Sequence, residues 1–233
     1  MARPRTSRRI GPARRAAAIS PLTVKRLSLY LRCLDNLAGQ GMTTVSSRQL
    51  GDALGLTAAQ VRKDLGQFGQ FGRPGVGYNV ADLSDKLRTI FGTDKSWNVA
   101  LVGVGSLGRA LLRYRGFRQK GFQLTAALDN APGKIGRKFG GVVVRPMSRL
   151  AQVVKADRIR LAMLAVPAEA AQNVADQLCR AGIKGILNFA PVNLSVPKGV
   201  AVIPVDLAVQ IEQLSYFVGS ANENDSRRPN RPR

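Results

Sequence analysis

Residues 99–108 read Val-Ala-Leu-Val-Gly-Val-Gly-Ser-Leu-Gly, which sets Gly103, Gly105 and Gly108 in the spacing GxGxxG directly behind an apolar run. Each glycine there has its own task. Gly103 permits a tight turn, Gly105 lets backbone N–H groups approach a pyrophosphate, and Gly108 lets the following helix pack on the strand. The whole loop, Gly103, Val104, Gly105, Ser106, Leu107 and Gly108, is therefore a candidate phosphate cradle. A second apolar run ends at Asp129, 21 residues after Gly108. A carboxylate at that place accepts hydrogen bonds from both ribose hydroxyls of an adenosine and repels a 2′-phosphate. The chemistry expected is the holding of NADH or NAD+ in preference to the phosphorylated dinucleotides. Lys134, Arg137 and Lys138 follow closely enough to soften that discrimination.

Moving hydride would require a partner for the accompanying proton. The chain has no histidine, and none of Tyr30, Tyr78, Tyr114 and Tyr216 begins a YxxxK pair. The expectation is a sensed ligand and no catalytic residues. The alternatives are an NAD-dependent oxidoreductase and a CoA-binding regulator, because similar glycine loops also cradle CoA.

A second set of residues suits nucleic acid. In the segment 58–67, Val61 and Leu65 lie one turn apart and can face a core, leaving Gln60, Arg62, Lys63 and Gln67 as donors toward a groove. Arginine and lysine suit guanine, and glutamine suits adenine. Ser46 and Ser47 ahead of this segment, with Arg73 and Tyr78 behind it, complete the candidate DNA-binding residues.

These residues need elements to hold them. Leu27, Leu31, Leu34 and Ala38 recur at helical spacing, with Ser20 as N-cap and Pro21 at the first helical position. Ser46 to Gln49 and Thr57 to Gln60 each match a capping box, which predicts helices over 47–54 and 58–67. Only Gly55 and Leu56 lie between the first helix and the Thr57 cap of the second, so the pair forms a helix-turn-helix. Phe71 to Tyr78 has the glycines and proline of a hairpin, which would make a basic wing, and a helix follows over 82–91. Beyond Trp97 short apolar strands alternate with helices. Strands are expected at 98–102, 123–128, 142–144, 159–166, 185–189 and 201–203, and helices near 106–115, 148–155 and 168–181. Such alternation means a parallel sheet covered on both faces. The fold class is thus α/β, an N-terminal winged helix followed by a Rossmann-type sheet. The expected boundaries are a disordered basic arm over 1–20, the winged helix over 21–92, the Rossmann domain over 96–204, a C-terminal helix over 205–218 and a disordered tail over 219–233.

Charge agrees with a polyanionic partner without locating it. Lys plus Arg number 36 against 14 Asp plus Glu, a net of +22. Residues 1–90 hold 15 basic and 5 acidic groups, and residues 91–220 hold 17 and 7, so each carries +10. Cys33 and Cys179 are far apart with no CxxC, which gives no support for a disulfide framework or a zinc site, and both read as small buried hydrophobes. No apolar run is long enough for a membrane span, and the Arg-rich first residues lack the apolar stretch of a secretory signal. A cytoplasmic protein is expected.

At this point the chain resembles the Rex family of bacterial redox-sensing transcriptional repressors, over about residues 20–218. The matching runs include Leu29-Tyr-Leu-Arg32, Gln60-Val-Arg-Lys-Asp-Leu65, Phe68-Gly-Gln-Phe-Gly72, Gly75-Val-Gly-Tyr78 and the glycine loop itself. Further runs are Tyr114-Arg-Gly-Phe117, Val166-Pro-Ala168, Gly185-Ile-Leu-Asn-Phe-Ala-Pro191 and Val205-Asp-Leu207. The resemblance implies a homodimer that binds a palindromic operator when NADH is scarce and leaves it when NADH rises. It extends the cofactor site to Tyr114, Val166, Pro167, Asn188, Phe189 and Ala190. It also implies a switch in which Asp206 pairs with Arg32 in one state and with the Tyr114 hydroxyl in the other, and a C-terminal helix exchanged between subunits. Leu207, Ile211, Leu214 and Phe217 or Val218 form an apolar stripe suited to that exchange. Gly66 departs from the family, where serine is more usual.

Overall fold

In the computed structural model, which describes residues 19–73 and 75–226, the first element is helix α1, Pro21–Gly39. The Ser20 hydroxyl accepts from the Thr23 N–H and Pro21 occupies the first turn, where its missing N–H is not needed. The buried face is Thr23, Leu27, Tyr30 and Leu34. Leu31 is only half-buried and Ala38 is exposed, so the stripe is rotated toward Tyr30 from the expected one. Tyr30 can enter because its hydroxyl meets a buried acceptor, Asp64.

Helix α2, Ser47–Asp52, has the complete capping box: the Ser46 hydroxyl accepts from the Gln49 N–H and the Gln49 carboxamide accepts from the Ser46 N–H. It stops before residue 54 because the chain turns back at Gly51, whose carbonyl accepts from the Leu56 N–H at 2.8 Å. A side chain at Gly51 would meet the Leu56 carbonyl oxygen. Helix α3, Ala58–Gly66, has only half of its expected box, since Thr57 accepts from the Gln60 N–H while the Gln60 side chain turns to Asp64. Strand β1, Thr44–Val45, pairs antiparallel with β2, Tyr78–Asn79. The expected hairpin shrinks to a single bridge between Arg73 and Gly77, because Tyr78 is already committed to Val45. Pro74 lies outside the described residues. Helix α4, Val80–Phe91, starts two residues early under an Asn79 cap and ends at Gly92, which is left-handed with φ 68°. Leu27, Tyr30, Leu34, Leu50, Val61, Leu65, Leu83 and Leu87 close a core for this unit, which extends to Asp94.

The second unit, from Lys95 onward, is built on β3 (Trp97–Val102), β4 (Phe122–Asp129), β5 (Lys138–Phe139), β6 (Val142–Pro146), β7 (Leu161–Leu164), β8 (Gly185–Asn188) and β9 (Ala201–Pro204). Their order is β5-β6-β4-β3-β7-β8-β9, parallel throughout except at β5–β6. Setting β5 aside, this is the 3-2-1-4-5-6 order of a doubly wound dinucleotide fold, with its switch point between β3 and β7. The unexpected strand β5 comes from Gly140 and Gly141. Both have positive φ, 56° and 90°, and make the two-residue turn that folds Phe139 back onto Val142. The crossovers are α5 (Ser106–Arg113), α6 (Gly116–Gln119), α7 (Leu150–Ala156) and α8 (Ala168–Arg180). The expected helix over 106–115 is thus broken at Tyr114.

One apolar cluster, with Ala100, Val102, Leu128, Leu164, Leu178 and Ile186, packs under α7 and α8. A second, with Leu101, Val104, Leu112 and Ala127, lies on the other face, so the sheet is covered on both. Both cysteines are half-buried and unpaired, and burial pushes each thiol above its ordinary pKa. The last helix, α9, runs Leu207–Ser226, eight residues past the expected 218. Residues 227–233 of the expected tail and 1–18 of the expected arm lie outside the described residues. Among the described residues no helix is long and apolar enough to cross a membrane.

Candidate functional site

The three glycines separate cleanly by what a side chain would meet. Gly103, with φ 93°, turns so tightly against the end of β7 that a Cβ would fall on the Ala165 carbonyl oxygen. A Cβ at Gly108 would fall on the Gly103 carbonyl oxygen, so α5 can lie on β3 only without one. Gly105 faces open space. It is also the N-cap of α5 and gives that helix no side-chain cap, so the N–H groups of Ser106 and Leu107 remain for an anion. Val104 is fully buried and its side chain cannot meet a ligand; its part is played by its N–H.

That N–H donates to Asp129 Oδ2 at 2.7 Å. Asp129, at the end of β4 and 9 % exposed, also accepts from the Lys134 ammonium through Oδ2 at 2.9 Å and from the Ala131 N–H through Oδ1 at 2.8 Å. Burial alone would raise the carboxyl's pKa, but these three donors outweigh it and hold the group below the usual carboxylate range. Three of about four acceptor places are thereby filled. A ribose hydroxyl directed at this carboxylate would have to take the remaining place or displace Lys134. The softening of charge expected from Lys134 takes the form of this ion pair.

The other residues expected at the cofactor divide. Val166, half-buried, stands over Gly103, and Pro167 is the exposed N-cap of α8. Asn188 at the end of β8 is not free to bind a ligand. Its carboxamide donates to the Ala190 and Val192 carbonyls at 3.1 and 2.8 Å and accepts from the Ala190 N–H at 3.0 Å. It is a brace for the loop that carries the half-buried Phe189 and buried Ala190. Tyr114 is placed elsewhere. It follows the C-terminal end of α5, about 13.5 Å along the helix from Gly105, and its ring packs edge-on against Phe117 at 4.9 Å. A single chain does not bring it to the glycine loop.

In the first unit Ala59, Arg62, Lys63, Gly66 and Gln67 form the exposed face of α3. Gln60 is not part of it, because its carboxamide donates to Asp64 Oδ1 at 2.8 Å. A side chain at Gly66 would meet nothing within 4 Å, so serine has room there. Beside this face lies a cleft of about 540 Å³ between the helix-turn-helix and the wing, lined by Ser46, Ser47, Arg48, Arg62, Gln70 and Arg73 among others. Tyr78 is a core residue whose hydroxyl reaches the cleft and meets that of Ser47 at 3.2 Å. Arg48, on α2, and Gln70, in the segment after α3, also line this cleft and were not among the expected residues.

Asp64 was missed as well. It is fully buried in α3, yet its carboxylate accepts from the Arg26 guanidinium at 2.5 and 2.7 Å and from the Tyr30 hydroxyl at 2.9 Å. Burial pushes its pKa up, and the Arg26, Tyr30 and Gln60 bonds pull it further down, to a net fall. The same network raises Tyr30, first through burial and then through Asp64. The signal in the sequence is Arg26 and Tyr30 one helical turn apart, facing an unpaired acid.

Asp206 accepts from the Ala208 and Val209 N–H groups at 2.9 and 3.2 Å, at the start of α9, and Arg32 is exposed on α1. The apolar stripe of α9 lies open, with Leu207, Ile211, Leu214, Phe217 and Val218 each more than half exposed.

Two families match parts of the chain: one described as "CoA binding domain" over residues 94–192 and one described as "Putative DNA-binding protein N-terminus" over residues 18–66. The redox-sensing transcriptional repressor Rex of Carboxydothermus hydrogenoformans is 48 % identical over 200 residues, 86 % of this chain and 96 % of that protein. Its counterpart in Desulfitobacterium hafniense is 47 % identical over 202 residues, 87 % of this chain and 96 % of that one. Among solved structures, the Rex-family repressor RSP in complex with β-NAD+ and operator DNA is 36 % identical with a TM-score of 0.83, covering 89 % of this chain and 96 % of that one. RSP in complex with β-NADH is 34 % identical with a TM-score of 0.82, covering 90 % and 99 %. With nearly half its residues shared across more than four-fifths of its length, the chain belongs to the Rex family of redox-sensing transcriptional repressors.

Proposed function

We propose that this chain is a repressor that binds a palindromic operator in duplex DNA as a homodimer when NADH is scarce relative to NAD+, and releases it when NADH binds. The observation that carries this reading is the union, in one chain, of an unobstructed glycine loop with Asp129 and a helix-turn-helix with a basic outer face. In this reading the dinucleotide acts as a signal and the chain as a cytoplasmic regulator, not an enzyme. The deciding experiment is a mobility-shift titration of operator binding against NADH at fixed NAD+, with CoA as a competitor because of the CoA-domain match. NADH should abolish the shifted band. Release by CoA but not by NADH would overturn the reading.

The homodimer draws support from α9, whose apolar stripe needs a cover that the chain's own sheet does not give it. Exchange of this helix between subunits supplies one. We assign the switch to Arg32, Tyr114 and Asp206, an element with two arrangements that the nicotinamide biases. Since Tyr114 lies at the far end of α5 from its own glycine loop, its contribution in this scheme is to the partner's dinucleotide.

Two expectations follow for single residues. Asp129→Ala should weaken NADH binding by about 1.5–3 kcal/mol, roughly tenfold or more, while operator binding in the absence of NADH is kept. Fluorescence titration with NADH beside a mobility shift measures both. Lys63→Ala, on the exposed face of α3, should weaken operator binding and lower the salt slope by about one if the lysine neutralises one phosphate.

A further inference from the structure

From Lys95 to Ala156 the chain carries twelve basic residues and one acid, Asp129. That acid is the group whose charge should keep a 2′-phosphate away from the ribose of the adenosine. Its charge is not free to do so. The Lys134 ammonium lies 2.9 Å from Oδ2, and because the carboxylate is 10 % exposed the pair is weakly screened, so the net charge at the end of β4 is near zero where a lone carboxylate would leave it negative.

Lys134 is anchored through its backbone. Its N–H donates to the Ala131 carbonyl at 3.0 Å, its carbonyl accepts from the Arg137 N–H at 3.1 Å, and the turn is tied to β6, where Gly136 donates to Val144 and Val144 to Arg137, both at 2.9 Å. The side chain, about one-third exposed, is the part that can move. Two guanidiniums stand with it. Arg137 lies over the Phe139 ring, 5.4 Å from its centroid, and Arg109, next after Gly108 in the first turn of α5, lies over the same ring at 5.9 Å. The buried Phe139 thus draws together the loop behind β4 and the helix that starts at the glycine loop. Neither guanidinium meets a carboxylate among the described residues. One movable ammonium and two guanidiniums are a cation set suited to a phosphate monoester of about two negative charges.

From the cancelled carboxylate and the cations gathered beside it, we propose that Lys134 is a specificity-determining residue of the dinucleotide site, and that through it the site admits NADPH and NADP+ beside NADH and NAD+. For a 2′-hydroxyl, Lys134 stays on Asp129 and the hydroxyl takes the remaining acceptor place. For a 2′-phosphate, the ammonium turns from the carboxylate to the phosphate, with Arg137 as the second cation. Asp129 keeps the Val104 and Ala131 N–H groups through this exchange, so its charge is not stranded. The inference rests on the dinucleotide reading of the glycine loop.

The test is a pair of fluorescence titrations of the full chain, one with NADH and one with NADPH, at low and high salt. NADPH should bind the native chain within about thirtyfold of NADH, and the gap should widen with salt, because the added phosphate is held by charge. In Lys134→Met the ratio of NADPH to NADH affinity should fall at least about tenfold further, whereas Lys134→Arg should keep it, since a cation that reaches the phosphate is all that is asked. Arg137→Ala, at an exposed side chain, should lower the ratio several-fold. If Lys134→Met does not fold, that variant and the salt dependence of the native chain decide the matter. A wider native gap, a ratio indifferent to salt and to both substitutions, or an equal loss of both ligands in Lys134→Met would overturn the proposal, the last by making Lys134 a brace for Asp129 alone. Failure of NADH itself to bind the native chain would overturn the dinucleotide reading, and this proposal with it.

Discussion

In Asp64→Ala, the slow amide exchange of α1 and α3 is expected to weaken by an amount equivalent to about 3–5 kcal/mol, and operator binding to fall with it. The substitution leaves the Tyr30 hydroxyl buried without its acceptor and the Arg26 guanidinium without its counter-charge. Removing one member of a buried pair is far more damaging than never having had the pair. The effect should be confined to the first unit, so exchange in β3 and β4 serves as the internal control. Asp64→Asn separates charge from shape. The native carboxyl is held below its unfolded value of about 3.9. Its stabilisation is therefore complete above that pH and is lost as pH falls through the lower folded value. Exchange in α1 and α3 should accelerate below about pH 4 in the native chain, and the asparagine variant should show little of that acid limb. A native chain whose α1 and α3 amides ignored pH in this range would show that the network carries no net stabilisation.

The second large effect comes from the glycine loop and depends on which glycine is changed. Gly105→Val should fold as well as the native chain, because a side chain there meets nothing and the backbone, at φ −78°, is open to any residue. It should nevertheless lose at least about a hundredfold in NADH affinity, close to 2.7 kcal/mol, since the new side chain stands where the pyrophosphate approaches. Gly108→Ala should do the reverse in order of cause. It pushes α5 off β3 against the Gly103 carbonyl, so thermal stability falls first and NADH binding falls as a consequence. Calorimetry with and without NADH distinguishes them. Equal stability losses in both variants would mean that Gly105 has a packing task after all.

The glycine loop and Asp129 were legible because their signal is local: a strand, a spacing and an acid at the next strand's end. The parallel sheet was legible for the same reason, strand alternating with helix. What could not be read was partnership across the chain. Asp64 sits in a run that looks like any polar helix, and only the packing of α1 on α3 brings Arg26, 38 residues away, onto it. Gln60 was misjudged with it, since its spacing suits a groove and its hydrogen bond is inward. Asn188 fits a ligand site by its position at a strand end, but its own loop uses its amide. Tyr114 was found by its run, whereas its place at the far end of α5 from the loop is set by packing that the run does not encode. The short strand β5 was overlooked although Gly140-Gly141 announces its turn.

Arg26, Tyr30, Gln60 and Asp64 form one closed polar network, and this shapes how the protein can change over generations. Asp64 cannot drift alone, because its loss strands Arg26, Tyr30 and Gln60 at once, and random libraries at this position should yield few survivors with one change. Joint replacement by apolar residues of similar volume is the open route, as for other buried ion pairs. Lineages are therefore expected to keep all four residues or to abandon them together, so that the two helices that hold the reading head inherit as a block.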